Sequence, residues 1–381
     1  MSILVQGADG YLGHALVLRL LEKGHNVVGI DNGNRRYMVQ HVMKSTSASD
    51  ICQSPQDRAK KIREYYPNYT FYLEDCVSYD TIYNIFSNYH FDTIFYLSHQ
   101  PSAPFSHINY SHSYNTILNN VMSTINLIWL IREFNPKCHL ITIGSMGEYD
   151  PAVNVDIPEG LFSFEYNGRQ SKESIFPRRP GSYYHASKVA STYLIDCMCR
   201  FSKTVRATDI MQGVVYGLWT PECEKTGLNT RMDFDECFGT VVHRFIIQSL
   251  LNKPLTIFGE GLHSRGFLAL NDSIQCLELA MNNLPEEGEY RSWNQLDQVF
   301  TMEEIANQVV DTIGGKKSYV KSPRAESVND HYYDPCVDKL KNLGFHPTRE
   351  IQEEIKYVCD NVDKQRFKNL NFDETPMIKW W

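Results

Sequence analysis

Ile3-Leu4-Val5-Gln6-Gly7-Ala8-Asp9-Gly10-Tyr11-Leu12-Gly13 decides the fold. The unbroken apolar run 3–5 reads as a strand buried on both faces, as in a parallel sheet. Glycines 7, 10 and 13 follow it and open a helical pattern. They let the backbone turn tightly and approach a pyrophosphate at the helix N-terminus, where free N–H groups and the dipole favour an anion. The spacing G-x-x-G-x-x-G is one residue looser than the usual dinucleotide fingerprint, so an ordinary strand–helix junction is the competing reading. Asp31 closes a second apolar run, where a carboxylate can hold the adenine-ribose 2′-hydroxyl. That favours NAD over NADP. Arg35 and Arg36 argue the other way, because guanidinium groups can hold a phosphate. Asp75, after the third strand, can reach the adenine and reads equally well as a surface aspartate.

The alternation continues outward. Residues 12–23 read as an amphipathic helix, and 27–30, 70–73, 93–97, 139–143 and 206–215 as strands. Helical periodicity covers 113–132 and 184–201. Strands separated by helices predict an α/β, Rossmann-type doubly wound parallel sheet. The polar and basic stretch 38–68 is longer than a crossover needs. Residues 216–240 lack periodic apolar positions and predict a long loop over a site. The expected layout is an NAD-binding domain over 1–215, with a later strand and helix returning from about 241–290. A smaller mixed α/β substrate domain would occupy most of 216–381, with the site between the two.

With 381 residues, at roughly 150 per domain, two or three folding units are expected. A content of 42% hydrophobic and 22% charged residues excludes wholesale disorder. A net charge of −8 argues against a general nucleic-acid binder. No apolar run approaches a membrane span, and no signal-peptide pattern precedes the first strand, so a cytoplasmic location is expected. The 10 cysteines are scattered without a C-x-x-C pair. Cys197 and Cys199 would lie on different helix faces, so reduced thiols and no metal are expected.

Tyr184-His185-Ala186-Ser187-Lys188 carries the chemistry. On a helix, residues i and i+4 share a face, which aims the Tyr184 hydroxyl and the Lys188 ammonium into one pocket. The ammonium lowers the phenol pKa, and such a tyrosine can serve as base on a sugar hydroxyl while hydride leaves to NAD. With 23 tyrosines in the chain, Tyr-x-x-x-Lys alone is often accidental. Its position is informative, because it follows the strand ending Gly144-Ser145, and the Ser145 hydroxyl can hold the same substrate oxygen.

With these residues in place, the chain resembles the extended short-chain dehydrogenase/reductases, the NAD-dependent epimerase/dehydratase family, over nearly its whole length. Within that family it is most similar to the branch that makes a sulfonated sugar from UDP-glucose. Besides the stretches above, the resemblance rests on Ser102-Ala103-Pro104, Asn119-Asn120-Val121, Met146-Gly147-Glu148-Tyr149 and Gln212-Gly213-Val214-Val215-Tyr216-Gly217. Further on come Phe238-Gly239-Thr240, Arg265-Gly266, and Pro323-Arg324 leading to His331-Tyr332-Tyr333. The resemblance implies oxidation at C4 of a UDP-sugar, loss of water across C5–C6, addition of sulfite at C6 and return of the hydride. Carried over, Tyr184 is the base, Lys188 its tuner, and Ser145 stands where the family has threonine. His185 and Glu148 become proton-transfer candidates near C5–C6, with Glu148 alternatively a packing residue. Asn32 and Asn119 join the cofactor residues, and Gln100 and Gln212 the substrate residues. Arg265 and Arg324 would pair with the UDP diphosphate, or else form surface salt bridges.

One departure concerns sulfite. Gln100-Pro101 stands where the family has Gln-Arg, and Ser98-His99 where it has Gly-Glu. The lost cation removes a partner for an anionic nucleophile, for which a protonated His99 is the candidate substitute. A 4-epimerase or sulfite-independent dehydratase is the alternative reading, and a non-catalytic dinucleotide sensor a more distant one. A homodimer through helices 113–132 and 184–201 is a family-level expectation.

Overall fold

The apolar triplet at the N-terminus has one stable solution, a strand covered on both sides. In the structure, a computed structural model describing residues 1–149, 156–320 and 334–367, it is an inner strand of a seven-stranded parallel sheet. The strands are β1 (Ser2–Gln6), β2 (Asn26–Asp31), β3 (Tyr69–Leu73), β4 (Thr93–Tyr96), β5 (His139–Ser145), β6 (Arg206–Gln212) and β7 (Tyr290–Gln295). Their order is β7-β6-β5-β4-β1-β2-β3, with Val5 opposite Gly29 on one side and Phe95 on the other. Side chains alternate across the sheet, so Ile3 and Val5 join one core with Leu16, Leu20 and Leu277. Leu4 joins the other, with Ile82, Phe86 and Leu127.

The first helix, Tyr11–Glu22, is buried continuously from Gly13 to Leu21 rather than on one face. The helices Pro221–Thr226 and Leu270–Asn282 cover its outer side. Arg19 reaches this covered face and is neutralised by Glu222 and Glu278, both at 2.5 Å. The expectation of an amphipathic helix is therefore corrected: what reads as its polar side is an interface.

Three other expectations are revised. The predicted strand 206–215 breaks at Gly213, where an added Cβ would lie 2.6 Å from the Gly266 carbonyl. Val214–Tyr216 then pairs with Ser264–Ala269 in a separate sheet. The predicted helix 113–132 is Tyr110–Ile117 and Ser123–Phe134, joined by a wide π-type turn, Leu118–Met122; such turns often mark functional sites. Residues 216–240 form the short helix Pro221–Thr226 followed by a mostly buried wall rather than a free loop. The chain returns to the main sheet with helix Leu270–Asn282 and β7. Helix Val241–Leu250 packs in a third core with Met302–Ile313 and Ile351–Asn361. All 10 cysteines are free thiols, and Cys197 is exposed where Cys199 is buried.

Candidate active site

The strand order reverses between the parallel strands β1 and β4, which leaves a crevice at the carboxyl ends of the strands. A cavity of about 870 Å³ occupies it, lined by residues at or just beyond the ends of β1, β2, β4, β5 and β6. At β1, Gly7 is left-handed (φ 85°), and a Cβ there would meet the Leu97 carbonyl at 2.7 Å. A Cβ on Gly13 would lie 2.0 Å from the Gly7 oxygen. Gly10 precedes the first helix without a capping side chain, which leaves the helix N-terminus open to an anion.

At β2, Asp31 accepts from the backbone N–H groups of Gly33 (2.8 Å) and Asp9 (2.9 Å). Burial and the nearby Asp9 carboxylate push its carboxyl up to about 6, so it is ionised at neutral pH. The two arginines beyond it do not offer a phosphate site. Arg36 is fork-bonded to Asp9 at 2.6 and 2.7 Å and also meets Asp50 at 2.6 Å. It is not among the cavity residues. Arg35 does line the cavity, but it pairs with Asp233 at 2.8 Å and lies over the Phe238 ring at 4.2 Å. Buried Arg58 and Arg231 complete this network through Asp50 and Asp233. Each guanidinium thus has a carboxylate partner, the condition under which buried charge is tolerated. An ionised Asp31 beside neutralised arginines, with the glycine cradle, fits NAD. Asn32, Asp75 and Asn119 line the same cavity. Asn32 accepts from the Asn34 N–H, Asp75 from the Val77 N–H, and Asn119 donates to the Ser98 carbonyl.

Across the cavity, Ser182 caps the helix Tyr183–Ser202, accepting from the His185 N–H at 3.0 Å and lying 2.8 Å from its ring Nδ1. That cap fixes the first turn, which carries Tyr184. Tyr184 is brought beside Ser145 at the end of β5, close enough for the serine to favour the phenolate. Burial and the Glu148 charge hold the Tyr184 pKa well above the ordinary phenol value, opposed by Ser145. Lys188 shares the wall as predicted, but its ammonium donates to His99 Nδ1 (2.9 Å) and to the Ile143 carbonyl. Burial lowers it to about 8. The His185 imidazole lies so close to Gly147 that a Cβ there would come within 2.2 Å of Nε2.

Glu148 stands behind Ser145. It is fully buried and does not line the cavity. Its carboxylate accepts from the Ser145 N–H at 2.9 Å and is ion-paired with Arg178. Arg178 continues to Thr192, which bonds Asp209, which in turn accepts from Tyr290. No motif marks Arg178; a cation just ahead of the catalytic helix was the only available signal.

Among the substrate residues, Gln212 and Arg265 line the cavity. The Gln212 amide donates to Ser273 and Gln295, and Arg265 to the Ser264 carbonyl. Gln100 also lines it, but its amide is committed to Ser102 and Thr116, so here it shapes the loop. Asn120 bridges that loop to Ser187. Pro101 lines the cavity without a charge. Arg324, with Pro323 and His331–Tyr333 of the motif, lies outside the described residues.

Fold and site together define an NAD-dependent enzyme, and the chain belongs to the NAD-dependent epimerase/dehydratase family, which residues 3–294 match. It is similar to the UDP-sulfoquinovose synthase of Sulfolobus acidocaldarius, at 38% identity over 100% of this chain and 98% of that one. The chloroplastic UDP-sulfoquinovose synthase of Spinacia oleracea is 36% identical, covering 91% of this chain and 72% of its own length. Among solved structures, UDP-glucose 4-epimerase of Thermotoga maritima with UDP-glucose has a TM-score of 0.68 at 19% identity, covering 95% of this chain and 98% of that one. UDP-glucuronic acid 4-epimerase of Bacillus cereus, in complex with UDP-glucuronic acid and NAD, has a TM-score of 0.67 at 20% identity over the same shares. The two epimerases share the fold. No helix among the described residues is long and apolar enough to cross a membrane.

Proposed function

We propose that the chain converts UDP-glucose and sulfite to UDP-sulfoquinovose and water. The glycine loop and Asp31 would hold NAD, which would supply a reversible hydride acceptor for C4 of the sugar. Tyr184 accepts the C4 hydroxyl proton while Ser145 holds that oxygen. The resulting ketone acidifies C5–H, and His185, set by Ser182, takes that proton and passes it to the C6 hydroxyl, which departs as water. Bisulfite adds through sulfur at C6, its proton goes to C5 by way of His185, and Tyr184 returns its proton to O4. Arg265 holds the diphosphate, together with Arg324. The observation that carries the reading is that Ser145 and Tyr184 meet on one cavity wall, in a chain similar over its full length to the UDP-sulfoquinovose synthase of Sulfolobus acidocaldarius.

Pro101 in the cavity wall favours a second reading, a UDP-hexose 4-epimerase or sulfite-independent dehydratase, because it brings no cation for sulfite. Purified protein incubated with UDP-glucose, with and without sulfite, separates the two by mass spectrometry and sugar NMR. A sulfonated UDP-hexose formed only with sulfite is the expected result. An epimerised or dehydrated sugar in both tubes would move the assignment to the sister reaction.

We also propose a homodimer through the outer faces of helices Ser123–Phe134 and Tyr183–Ser202. These expose Trp129 and Phe201, whose rings share the Arg132 guanidinium, and also Tyr193 on the second helix. Exposed aromatics clustered on paired helices are characteristic of an interface core. Sedimentation is expected to give twice the chain mass, and a Trp129→Glu variant to sediment as a monomer; a monomeric wild type at micromolar concentration would reject the interface.

A further inference from the structure

Lys188 is a buried cation whose hydrogen bonds go to neutral groups. Its ammonium donates to the Ile143 carbonyl and to His99 Nδ1, 2.9 Å away. The carboxylates that face it, Glu148 and Asp209, favour its charge. Glu148 is engaged by Arg178 and the Ser145 N–H, and Asp209 by Thr192 and Tyr290. An ammonium only donates, so Nδ1 of His99 is a bare acceptor and its proton resides on Nε2. That Nε2 is buried without a hydrogen-bond partner, and the ring packs against Tyr96 with centroids 4.3 Å apart. A second proton would place two cations in contact in a dry wall. Burial and Lys188 both hold the imidazole well below its ordinary value. The expectation of a protonated His99 meeting sulfite is thereby reversed.

We infer that His99 is the positioning residue of the catalytic lysine, a neutral acceptor that orients the Lys188 ammonium without giving it a counter-charge. This rests on the function proposed above and deepens it. His99 follows the end of β4, and it and Lys188 line the same cavity. A carboxylate at 99 would tie the proton to Lys188 over a wider pH range, and an apolar side chain would leave a buried N–H without an acceptor. A neutral acceptor keeps the lysine both aimed and able to titrate near neutrality.

Two measurements test the inference independently. Two-bond nitrogen–proton correlation spectra of histidine-labelled protein identify His99, among 13 histidines, by the signals missing in His99→Gln. Those signals are expected to show a neutral ring protonated on Nε2 from about pH 5 to about 8. A ring that titrates near the ordinary histidine value, or that carries its proton on Nδ1, overturns the pairing. The second measurement is cofactor reduction by UDP-glucose across pH. His99→Leu is expected to lower kcat roughly 10²-fold through a misplaced ammonium, with KM held. His99→Gln, which keeps an acceptor, should restore most of the rate. His99→Glu should move the alkaline limb upward by about one pH unit or more. An unmoved limb, or an unchanged kcat in His99→Leu, overturns the inference. No cofactor reduction by wild-type protein would count against the proposed function, and the spectra would still decide the pairing.

Discussion

Tyr184→Phe is expected to keep NAD and to lose cofactor reduction by UDP-glucose by roughly 10²–10⁴-fold, the contribution of a positioned acid–base group. The argument is geometric. Among the residues brought to this wall, only Tyr184 places a titratable hydroxyl against Ser145, at the end of a strand that opens on the cavity. Lys188 cannot replace it, because two of its donors are turned to His99 and Ile143. Phenylalanine keeps the ring and its packing against His185, with centroids 4.8 Å apart. Ser145 also stays in place, since its Oγ still accepts from the Gly147 N–H at 3.1 Å. Substrate binding should therefore persist while the rate falls, a loss in kcat with little change in KM. Rapid-mixing absorbance of the reduced cofactor reads the rate, and calorimetric titration with UDP-glucose reads the binding. A variant that still reduces its cofactor within a few-fold of the wild-type rate would remove Tyr184 from the chemistry.

The parts of the site that were legible in the sequence are those encoded locally. The glycine loop, Asp31, Ser145 and the Tyr184–Lys188 pair each depend on a strand or helix whose periodicity is visible within about a dozen residues. What stayed hidden depends on distant partners. Arg35 and Arg36 read alike in sequence, yet Asp233, 198 residues away, takes the first, and Asp9 and Asp50 take the second. Glu148 reads as a free carboxylate until Arg178 arrives from a segment without a motif. The break at Gly213 follows from the close approach of the Gly266 carbonyl, which no alternation pattern reports. Helix Tyr11–Glu22 reads as amphipathic because Arg19 is charged, and only the covering acids from two later helices explain its burial.

The same reasoning makes Arg178 the most exacting test of the structure. Its guanidinium side chain is 2% exposed and its Glu148 partner 0%. Arg178→Met removes one member of a buried pair and strands the other, which costs about 3–5 kcal/mol when the remaining charge cannot reach water. The deficit should depend on pH in a definite direction. Burial already pushes Glu148 up to about 7, above its ordinary carboxyl value, even with Arg178 pulling it down. Without the guanidinium the folded-state pKa rises further. A carboxyl whose pKa is raised by folding supports the fold fully below its unfolded value and loses that support as pH rises through the folded one. The variant should thus lie nearest to wild type near pH 5 and fall furthest behind above about pH 7. Glu148→Gln in the same background removes the stranded charge, so the double variant should recover much of the loss at high pH, a coupling that a double-mutant cycle isolates. Urea midpoints for the four proteins at both pH values decide the matter. If Arg178→Met lost the same stability at each pH, or if Glu148→Gln failed to relieve it, the pair would not be holding the Ser145 strand end where Tyr184 meets it.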